Sequence, residues 1–401
     1  MDLALVNGRV MTGHGLEHGL AVVLSGDTIA AVVPARELER GVQRLDLDAG
    51  LLLPGFIDIQ VNGGGGVLFN DSPTPEAIQT IGAAHRRFGT TGFLPTLISD
   101  GMEAVGAAIA ATRQALDAGT PGLLGIHVEG PYLNSERKGI HAASKLRRMD
   151  DEGLALLTSL GAGRTLVTLA PEMASAEMIE RLVAAGVIVS AGHTNASYAV
   201  TRAALDAGMT GFTHLFNAMS PLTSREPGVV GAALSDARSW CGIIVDGRHV
   251  DPVVLKIAMA CRPADRFILV TDAMPCVGSD QTSFTLQGKT ITVRDGACFD
   301  AKGNLAGSDL DMAAAVRNAV TMLGLELSQA SRMASGNPAE FLGLGDRMGR
   351  IAPGYRADLV LLDDRLEVSD VWIGGVAIAE DRPLTAAQSG EGAHRAMRRD
   401  A

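Results

Sequence analysis

The chain has 401 residues, of which 47% are hydrophobic, and its 34 basic and 45 acidic residues give a formal net charge of −11. This composition is typical of a folded α/β protein with a large core, and it excludes a disordered or fibrous chain. The acidic balance and the scattered basic residues argue against a nucleic-acid surface or a basic membrane patch. We therefore expect neither nucleic acid nor membrane among the partners of this protein.

The N-terminal residues and the cysteines both bear on the compartment. The start, MDLALVNGRV, lacks a basic region followed by an apolar one, and no stretch approaches the roughly 18 consecutive apolar residues of a spanning helix. The four cysteines, Cys241, Cys261, Cys276 and Cys298, show no CxxC spacing. They are predicted to be reduced structural thiols, and the protein is expected to be cytoplasmic.

The two ends of the chain share a pattern of short apolar runs separated by turn signals. Residues 1–52 contain LALVNGRV and GLAVVLSGDTIAAVV, and residues 347–383 contain GRIAPGYRADLVLLD and VSDVWIGGVAI. Such runs are typical of antiparallel strands. We predict a small β-sandwich domain built from both termini, followed by a loosely ordered tail over residues 384–401.

The central region, residues 53–346, alternates apolar runs with Ala-rich helical stretches such as those that start at Pro75 and Ala196. Eight strands with helices between them predict a closed (β/α)8 TIM barrel, although the pattern alone leaves a doubly wound sheet as an alternative. The predicted strands cover residues 56–61, 92–98, 123–129, 166–172, 187–193, 212–216, 242–246 and 267–272.

Four ionisable residues fall at the carboxyl ends of predicted strands: Glu129, His193, His214 and Asp272. In a (β/α)8 barrel these ends form the active-site rim. Two imidazoles and a carboxylate suit a catalytic divalent ion that keeps one position open for water, whose pKa such an ion lowers to roughly 7. A lone histidine after a strand is more often structural. Four ionisable residues at the ends of four strands, however, favour a metal-dependent hydrolase.

The first barrel strand ends in Asp58-Ile-Gln60-Val-Asn62, directly before four glycines. Because side chains alternate along a strand, Asp58, Gln60 and Asn62 share one face. The spacing is suited to metal ligands, but amides are poor ones.

Segments distributed over nearly the whole chain resemble those of one enzyme family. They are PGFIDIQVNGGGG, FLPTLI, GIHVEGPYLN, KGIH, SAGHTNAS, THLFNAM, REPGVVGA, CGIIVDGRHVD, LVTDAM and LAGS. The chain resembles the N-acetylglucosamine-6-phosphate deacetylases, a family of the amidohydrolase superfamily. The resemblance implies a metal-bearing barrel with a β-sandwich. It also implies hydrolysis of the 2-acetamido group of N-acetylglucosamine 6-phosphate to glucosamine 6-phosphate and acetate, in amino-sugar catabolism.

The resemblance also assigns roles to residues. It implies one divalent ion per subunit on Glu129, His193 and His214, with Zn²⁺ favoured and Fe²⁺, Co²⁺ or Mn²⁺ as alternatives. Asp272 becomes the general base and acid, and His141 polarises the amide carbonyl. The substrate-binding residues that it implies are Ile140, His141, Asn217, Ala218, Arg225, Asp246, His249, Leu305, Ala306 and Gly307.

Two of these assignments concern the phosphate. Arg225 and His249 match phosphate-binding positions, and a guanidinium can grip a phosphate through two parallel hydrogen bonds. In the family one phosphate contact comes from the neighbouring subunit, so the resemblance implies a homodimer. Without it, Arg225 beside Glu226 reads as an ordinary surface ion pair.

The chain departs from the wider superfamily at the first strand, where binuclear relatives carry Asp-x-His-x-His. Gln60 and Asn62 replace both histidines, which indicates one metal ion instead of two. At this vacated position we expect the two amides to hydrogen-bond the metal-bound water or to order the loop. A second departure is Asp309, which stands where many relatives carry a small hydroxyl residue.

Two other interpretations share the barrel. One is a different amidohydrolase, such as an N-acyl amino acid deacylase or a binuclear cyclic-amide hydrolase. The binuclear form is disfavoured because strand four ends in Leu169-Ala-Pro-Glu172 without a lysine. The other is a scaffold that has lost its chemistry. It predicts damage among the four rim residues, and all four are intact.

Overall fold

The computed structural model of the protein describes residues 2–378. The predicted tail, 384–401, and residues 379–383 of the predicted C-terminal sandwich segment lie outside the described residues.

Eight parallel strands form one sheet in which each strand pairs with the next along the chain. The sheet closes because Val61 bridges Ala273 in parallel and the N–H of Asp272 donates to the carbonyl of Gln60 at 3.0 Å. The predicted TIM barrel is therefore confirmed, and the doubly wound alternative is excluded. The strands β1 to β8 are Phe56–Val61, Thr90–Ile98, Gly125–Glu129, Arg164–Leu169, Ile188–Ala191, Gly211–Phe212, Trp240–Ile243 and Phe267–Leu269.

Every residue of β1, β2 and β3 is buried, as expected for strands covered by side chains on both faces. Each observed strand overlaps its predicted segment, but several stop before the predicted end. β5 stops at Ala191 and β6 at Phe212, so His193 and His214 lie just beyond their strands. The backbone turns there, which frees both imidazoles from the sheet.

Ten α-helices are described in residues 2–378. A Ser, Thr or Asp side chain before the first turn accepts a backbone N–H in six of them, for example Thr74 from Ala77 and Ser197 from Val200. The helices α1 to α10 are Pro75–Arg86, Met102–Asp117, Asp151–Leu157, Ala176–Ala184, Tyr198–Asp206, Gly228–Ser235, Pro252–Cys261, Met312–Thr321, Leu327–Ala334 and Gly336–Phe341.

Two further sheets lie at the chain ends. One joins Leu3–Val6, Leu20–Ser25, Thr28–Pro34 and Gln43–Asp46. The other joins both ends of the chain, because Leu51–Pro54 pairs antiparallel with Leu359–Leu362. Its remaining strands are Arg9–Thr12, Gly15–Glu17, Val368–Ile373 and Val376–Ala377.

A separate hydrophobic cluster connects these two sheets. It contains Leu5, Leu52, Leu359 and the fully buried Trp372, so residues distant in sequence share one small core. These contacts produce the small domain from both termini that the sequence predicts.

A four-stranded antiparallel insertion follows β8. Its strands are Ser283–Leu286, Lys289–Arg294, Ala297–Asp300 and Leu305–Ser308. Ser308 pairs with Ala273 just after β8, so the last strand of the insertion lies beside the rim of the barrel. Near the same rim, Gly63–Gly64 and Val67–Leu68 form a two-stranded hairpin after β1.

Within the described residues, no helix combines the length and apolar character needed to cross a bilayer. The four cysteines are free thiols, of which Cys261 is exposed and the other three are buried.

Candidate active site

Glu129, His193 and His214 converge at the carboxyl ends of β3, β5 and β6. Glu129 Oε1 lies 3.1 Å from His193 Nε2 and 3.0 Å from His214 Nε2, and the two imidazole nitrogens are 3.1 Å apart. All three side chains are buried and could hold a metal ion together. Two ligand atoms on a tetrahedral zinc ion are separated by about 3.3 Å, so the donor set fits such an ion.

The second nitrogen of each imidazole decides whether the first can face a metal ion. Nδ1 of His193 lies 2.9 Å from the carbonyl of Arg137 and must donate to it, which leaves the Nε2 lone pair for a cation. Nδ1 of His214 is buried without a partner among residues 2–378. His214 lines a cavity of about 10 Å³ with Ser190 and Thr213, close to the smallest volume that holds one water molecule.

The charges of the three groups are coupled. Burial alone would raise the pKa of Glu129, but its close contacts with the His193 and His214 imidazoles outweigh burial and hold the pKa well below its usual value. For His214, burial opposes protonation, and the hydrogen bond and charge of Glu129 raise the pKa above its ordinary value. An anionic carboxylate between two imidazoles is therefore the stable charge state, and it suits a cation.

Left-handed backbone is concentrated at this rim. Among non-glycine residues, φ is 48° at His193, 34° at His214 and 54° at Asp272, and Phe216 and Ala218 also have positive values. L-residues rarely adopt this conformation, which costs of order 1–3 kcal/mol where it is imposed. Such strain at three of the four rim residues indicates that function, and not stability, sets the backbone there.

Asp272 follows β8 and is held by the two amides of the first strand. Asn62 Nδ2 lies 2.6 Å from Asp272 Oδ1, and Gln60 Nε2 lies 3.2 Å from the same oxygen. Gln60 also lies 3.4 Å from both oxygens of Glu129. Burial, followed by the charge of Glu129, raises the pKa of Asp272 to about 6, which is apt for a group that exchanges protons near neutral pH.

Asp58, the third residue of the same strand face, lies in the barrel interior. It accepts hydrogen bonds from the hydroxyl of Thr271 at 2.5 Å and from the backbone N–H of Gln60 at 3.1 Å. Burial raises its pKa to about 7 in spite of these bonds. Asp58 therefore anchors the residue that precedes Asp272.

His141 lies in the loop after β3, with its ring 4.4 Å from that of His193. The loop is irregular, and the fold brings the buried imidazole beside the metal-ligand cluster. Burial, followed by the charge of His193, lowers the pKa of His141 to about 3, so the ring is neutral at pH 7. Among residues 2–378, its Nε2 has no hydrogen-bond partner.

Apart from Ile140, which precedes His141, the remaining predicted substrate residues lie on segments that follow β6, β7 and β8. Asn217 donates to the carbonyl of His214 at 3.2 Å, and the carbonyl of Ala218 accepts from Thr194 at 3.0 Å. His249 Nδ1 lies 2.6 Å from Asp246 Oδ2. Burial would raise the pKa of Asp246, but the hydrogen bond from His249 holds it below its usual value.

Arg225 is exposed and has no hydrogen bond or ion pair among residues 2–378. Glu226 beside it accepts instead from the backbone N–H groups of Tyr198 and Gly228, at 2.8 and 2.9 Å. The interpretation of Arg225 and Glu226 as an ordinary surface ion pair is therefore wrong. The guanidinium is free to bind another group.

Leu305, Ala306 and Gly307 form the last strand of the insertion beside Asp272. Gly307 has a φ of 70°, and a β-carbon there would lie 2.2 Å from Met274 Cε, so only glycine fits. Ile140 packs on a cluster that contains Met274 and Ala306. The segment is thereby joined to the His141 loop.

Comparison with known proteins places this geometry in a family. A model of the "Amidohydrolase family" matches residues 51–378, and a "NagA composite domain" model matches residues 3–52. The chain belongs to the amidohydrolase family. Enzymes of this family depend on metal ions, in agreement with the Glu129, His193 and His214 cluster.

Several amidohydrolases are similar to this chain over most of their length. An N-acetylgalactosamine-6-phosphate deacetylase from Shewanella sp. is 49% identical and covers 92% of this chain and 93% of its own. An N-acetylglucosamine-6-phosphate deacetylase from Haemophilus influenzae is 38% identical and covers 94% and 99%.

Solved structures agree with these sequence relatives. The N-acetylglucosamine-6-phosphate deacetylase from Pasteurella multocida superposes with a TM-score of 0.92 at 36% identity, over 95% of this chain and 100% of that one. A mutant of the Mycobacterium smegmatis enzyme, solved with N-acetyl-D-glucosamine-6-phosphate, gives 0.87 at 35% identity, over 95% and 99%. The relationship to this group of amidohydrolases, stated above as a resemblance, is confirmed.

Sequence reasoning missed two residues of the site. Ser99 contacts His141, and Gln287 in the insertion contacts the loops around both. Ser99 follows a strand, a position that could have marked it. Gln287 carries no such signal, because Leu286-Gln-Gly-Lys289 reads only as a two-residue turn.

Proposed function

We propose that this amidohydrolase removes the acetyl group from an N-acetylated hexosamine 6-phosphate, and specifically that it converts N-acetylglucosamine 6-phosphate to glucosamine 6-phosphate and acetate. The observation that carries the proposal is the triad of Glu129, His193 and His214 next to a buried carboxylate, Asp272, whose pKa is raised to about 6. The names of the similar enzymes support the substrate class.

The residues divide the chemistry between them. A divalent cation, when bound by Glu129, His193 and His214, supplies positive charge that acidifies water and polarises the amide carbonyl. Asp272 takes the proton from the attacking water and returns it to the departing sugar nitrogen, so the C–N bond breaks with a neutral amine as leaving group. His141 donates a hydrogen bond to the carbonyl oxygen as negative charge develops there.

We further propose one ion per subunit, with Zn²⁺ as the favoured metal. Two imidazoles and one carboxylate suit zinc, although iron, cobalt and manganese accept the same ligands. The positions of Gln60 and Asn62 support a single ion, because their amides are engaged with Asp272. Metal analysis of the purified protein tests the stoichiometry, and two tightly bound ions per chain would contradict it.

A homodimer with Arg225 supplied to the neighbouring active site completes the proposal. Arg225 is exposed and unpaired within the described residues, and its loop carries the exposed Leu222. Helix α7 presents Val253 and Ile257, which are 62% and 57% exposed. Exposed apolar side chains together with an unpaired arginine suit contact with a second copy of the chain, and the phosphate would then lie between Arg225 of one subunit and His249 of the other.

Acetate release from N-acetylglucosamine 6-phosphate and from the unphosphorylated sugar tests the substrate assignment. We expect a large preference for the phosphorylated sugar in the wild type and a much smaller one in Arg225→Ala. Equal kcat/KM values for both sugars in the wild type would refute the phosphate site.

The C4 epimer, N-acetylgalactosamine 6-phosphate, is the second candidate substrate. The Shewanella relative at 49% identity carries that activity in its name. Both sugars present the same acetamide and phosphate, so the catalytic residues serve either one. The ratio of the two kcat/KM values decides between them.

A further inference from the structure

In the insertion after β8, the side chain of Gln287 hydrogen-bonds to both loops around His141. Its Nε2 donates to the carbonyl of Ser99 at 2.7 Å, and its Oε1 accepts from the N–H of Ala142 at 2.8 Å. Ser99 follows β2, and Ala142 is the residue after His141. One amide therefore joins the loops after β2 and β3 to the insertion.

The backbone conformation of the turn does not favour glutamine at position 287, so its side-chain hydrogen bonds must account for this residue. Gln287 and Gly288 connect two paired strands and have φ values of 50° and 77°. Two-residue turns with positive φ at both positions strongly favour Asn, Asp or Gly at the first. Glutamine is unfavourable there, and its two hydrogen bonds offset that cost.

Ser99 in turn fixes the proton on His141. The backbone N–H of Ser99 points at His141 Nδ1 from 3.2 Å, and its hydroxyl lies 2.7 Å from the same nitrogen. A backbone N–H can only donate, so Nδ1 must present its lone pair. In the neutral ring the proton then resides on Nε2, the nitrogen without a partner among residues 2–378.

The hydroxyl of Ser99 lies near two possible acceptors, His141 Nδ1 and the carbonyl of Glu129. A β-carbon at Gly130 would lie 2.2 Å from Ser99 Oγ, so the glycine leaves room for the hydroxyl beside the chain that follows Glu129. The carbonyl of Glu129 is the alternative acceptor, but at 3.4 Å it is more distant than Nδ1. The shorter contact selects the imidazole.

We propose that Ser99 and Gln287 are positioning residues for the deacetylation: Ser99 holds the His141 imidazole in the tautomer with its proton on Nε2, and Gln287 fixes Ser99 and Ala142 around it. The inference rests on the proposed function, in which His141 must donate to the carbonyl oxygen. The opposite tautomer would direct a lone pair at that oxygen and repel the developing charge.

The tautomer can be measured without substrate. Long-range proton–nitrogen correlation spectra of zinc-loaded protein with nitrogen-15-labelled histidine distinguish the two tautomers, and His141→Asn identifies the His141 signals among the nine histidines. We expect the Nε2–H pattern in the wild type and in Ser99→Thr. Ser99→Ala keeps the backbone N–H, so the Nε2–H form should remain the major one there, with a displaced Nδ1 resonance because the hydroxyl donor is lost. An Nδ1–H pattern in the wild type overturns the proposal.

Kinetics provide the second readout. We expect Ser99→Ala and Gln287→Ala each to lower kcat by about tenfold with KM within about twofold, and Ser99→Thr to retain most of the rate. Gln281→Ala is the matched control. Gln281 lies just before the first strand of the insertion, and its amide donates to the carbonyl of Gly66 at 3.4 Å, away from Ser99 and His141, so the rate should be unchanged.

A double-mutant cycle separates positioning from a structural role. In the His141→Asn background, Ser99→Ala and Gln287→Ala should cause no further loss, because the group that they position is gone. An equal loss in both backgrounds overturns the proposal. If the zinc-loaded wild type releases no acetate from either sugar phosphate, the proposed function fails, whereas the tautomer spectra still decide what Ser99 does.

Discussion

Asn62 holds Asp272: its Nδ2 lies 2.6 Å from Asp272 Oδ1. This bond orients the carboxylate and favours its ionised form. We expect Asn62→Ala to lower kcat by about 10- to 100-fold, the range typical of residues that orient catalytic groups at metal sites.

Asn304→Ala provides the control for Asn62→Ala. Asn304 makes a similar bond to Asp300, 3.0 Å long, in an exposed part of the insertion, so its loss should leave the deacetylation rate unchanged. A fall in rate of the same size in both variants would show that the Asn62 effect is not specific to the site.

The proposed role of Asp272 as general base predicts the pH dependence of the reaction. The carboxylate must be ionised to accept a proton, and its pKa is raised to about 6 by burial and by the charge of Glu129. A bound cation favours the carboxylate, so kcat/KM should fall toward acid with a midpoint at or below about 6. In Asn62→Ala the midpoint should move upward. An acid limb above pH 7 in the wild type would exclude Asp272 as the group that titrates.

Removal of one proposed metal ligand, Glu129, should strongly weaken both metal binding and activity. Glu129→Gln keeps the shape of the side chain but removes the charge that lies between the two imidazoles. We expect metal affinity and acetate release to fall by more than about 100-fold. Mutation of residues that only hydrogen-bond to metal ligands already lowers metal affinity or activity by about 10- to 100-fold. Elemental analysis and circular dichroism of the same sample separate lost metal from lost fold.

The buried carboxyl group of Asp58 should make the free energy of unfolding depend on pH. Its pKa is raised from 3.8 to about 7 by burial, so the folded state prefers the protonated acid. The stability that this group contributes is fully present below pH 3.8 and is lost as the pH rises through about 7. Asp58→Asn stays neutral. Its free energy of unfolding relative to the wild type should therefore improve by on the order of 2 kcal/mol from pH 5 to pH 8.

Denaturant unfolding at both pH values measures this difference. Asp117→Asn, at an exposed position at the end of α2, is the control and should show the same difference from the wild type at pH 5 and pH 8. A pH-independent difference for Asp58→Asn would mean that Asp58 is ionised in the folded protein.

If two subunits share the phosphate site, as we propose, two defective subunits should complement each other. Arg225→Ala keeps its own Asp272, and Asp272→Asn can lend its Arg225 to a partner. Coexpression of the two variants should therefore restore one intact site per mixed dimer, up to about a quarter of wild-type activity. If Arg225 acts within its own subunit, the mixture should show no more activity than the two variants apart.

Much of the fold was predictable because it depends on short-range patterns. All eight barrel strands overlap their predicted segments, since strands covered on both faces are written as apolar runs. Glu129, His193, His214 and Asp272 were predictable as a group because parallel strands deliver their carboxyl ends to one rim. The predicted strand ends were less accurate, because an apolar run does not show where the backbone changes to the left-handed conformation, as it does at His193 and His214.

The roles of Gln60 and Asn62 show where the pattern stops. Their alternation along β1 predicted one shared face, but their bonds to Asp272 depend on how β8 closes against β1. The expected loop-ordering or water-binding role did not include this contact between residues about 210 positions apart.

The barrel, the domain from both termini and the set of ionisable groups at the rim could be predicted from the sequence, because the periodicity of each segment and the succession of segments are visible along the chain. The contacts between those groups depend on the folded arrangement. Gln287 reaches Ser99 across 188 positions, and Ser99 reaches His141 across 42. Hydrogen bonds act over about 3 Å, so such partnerships exist only once the loops of separate strands have been brought together.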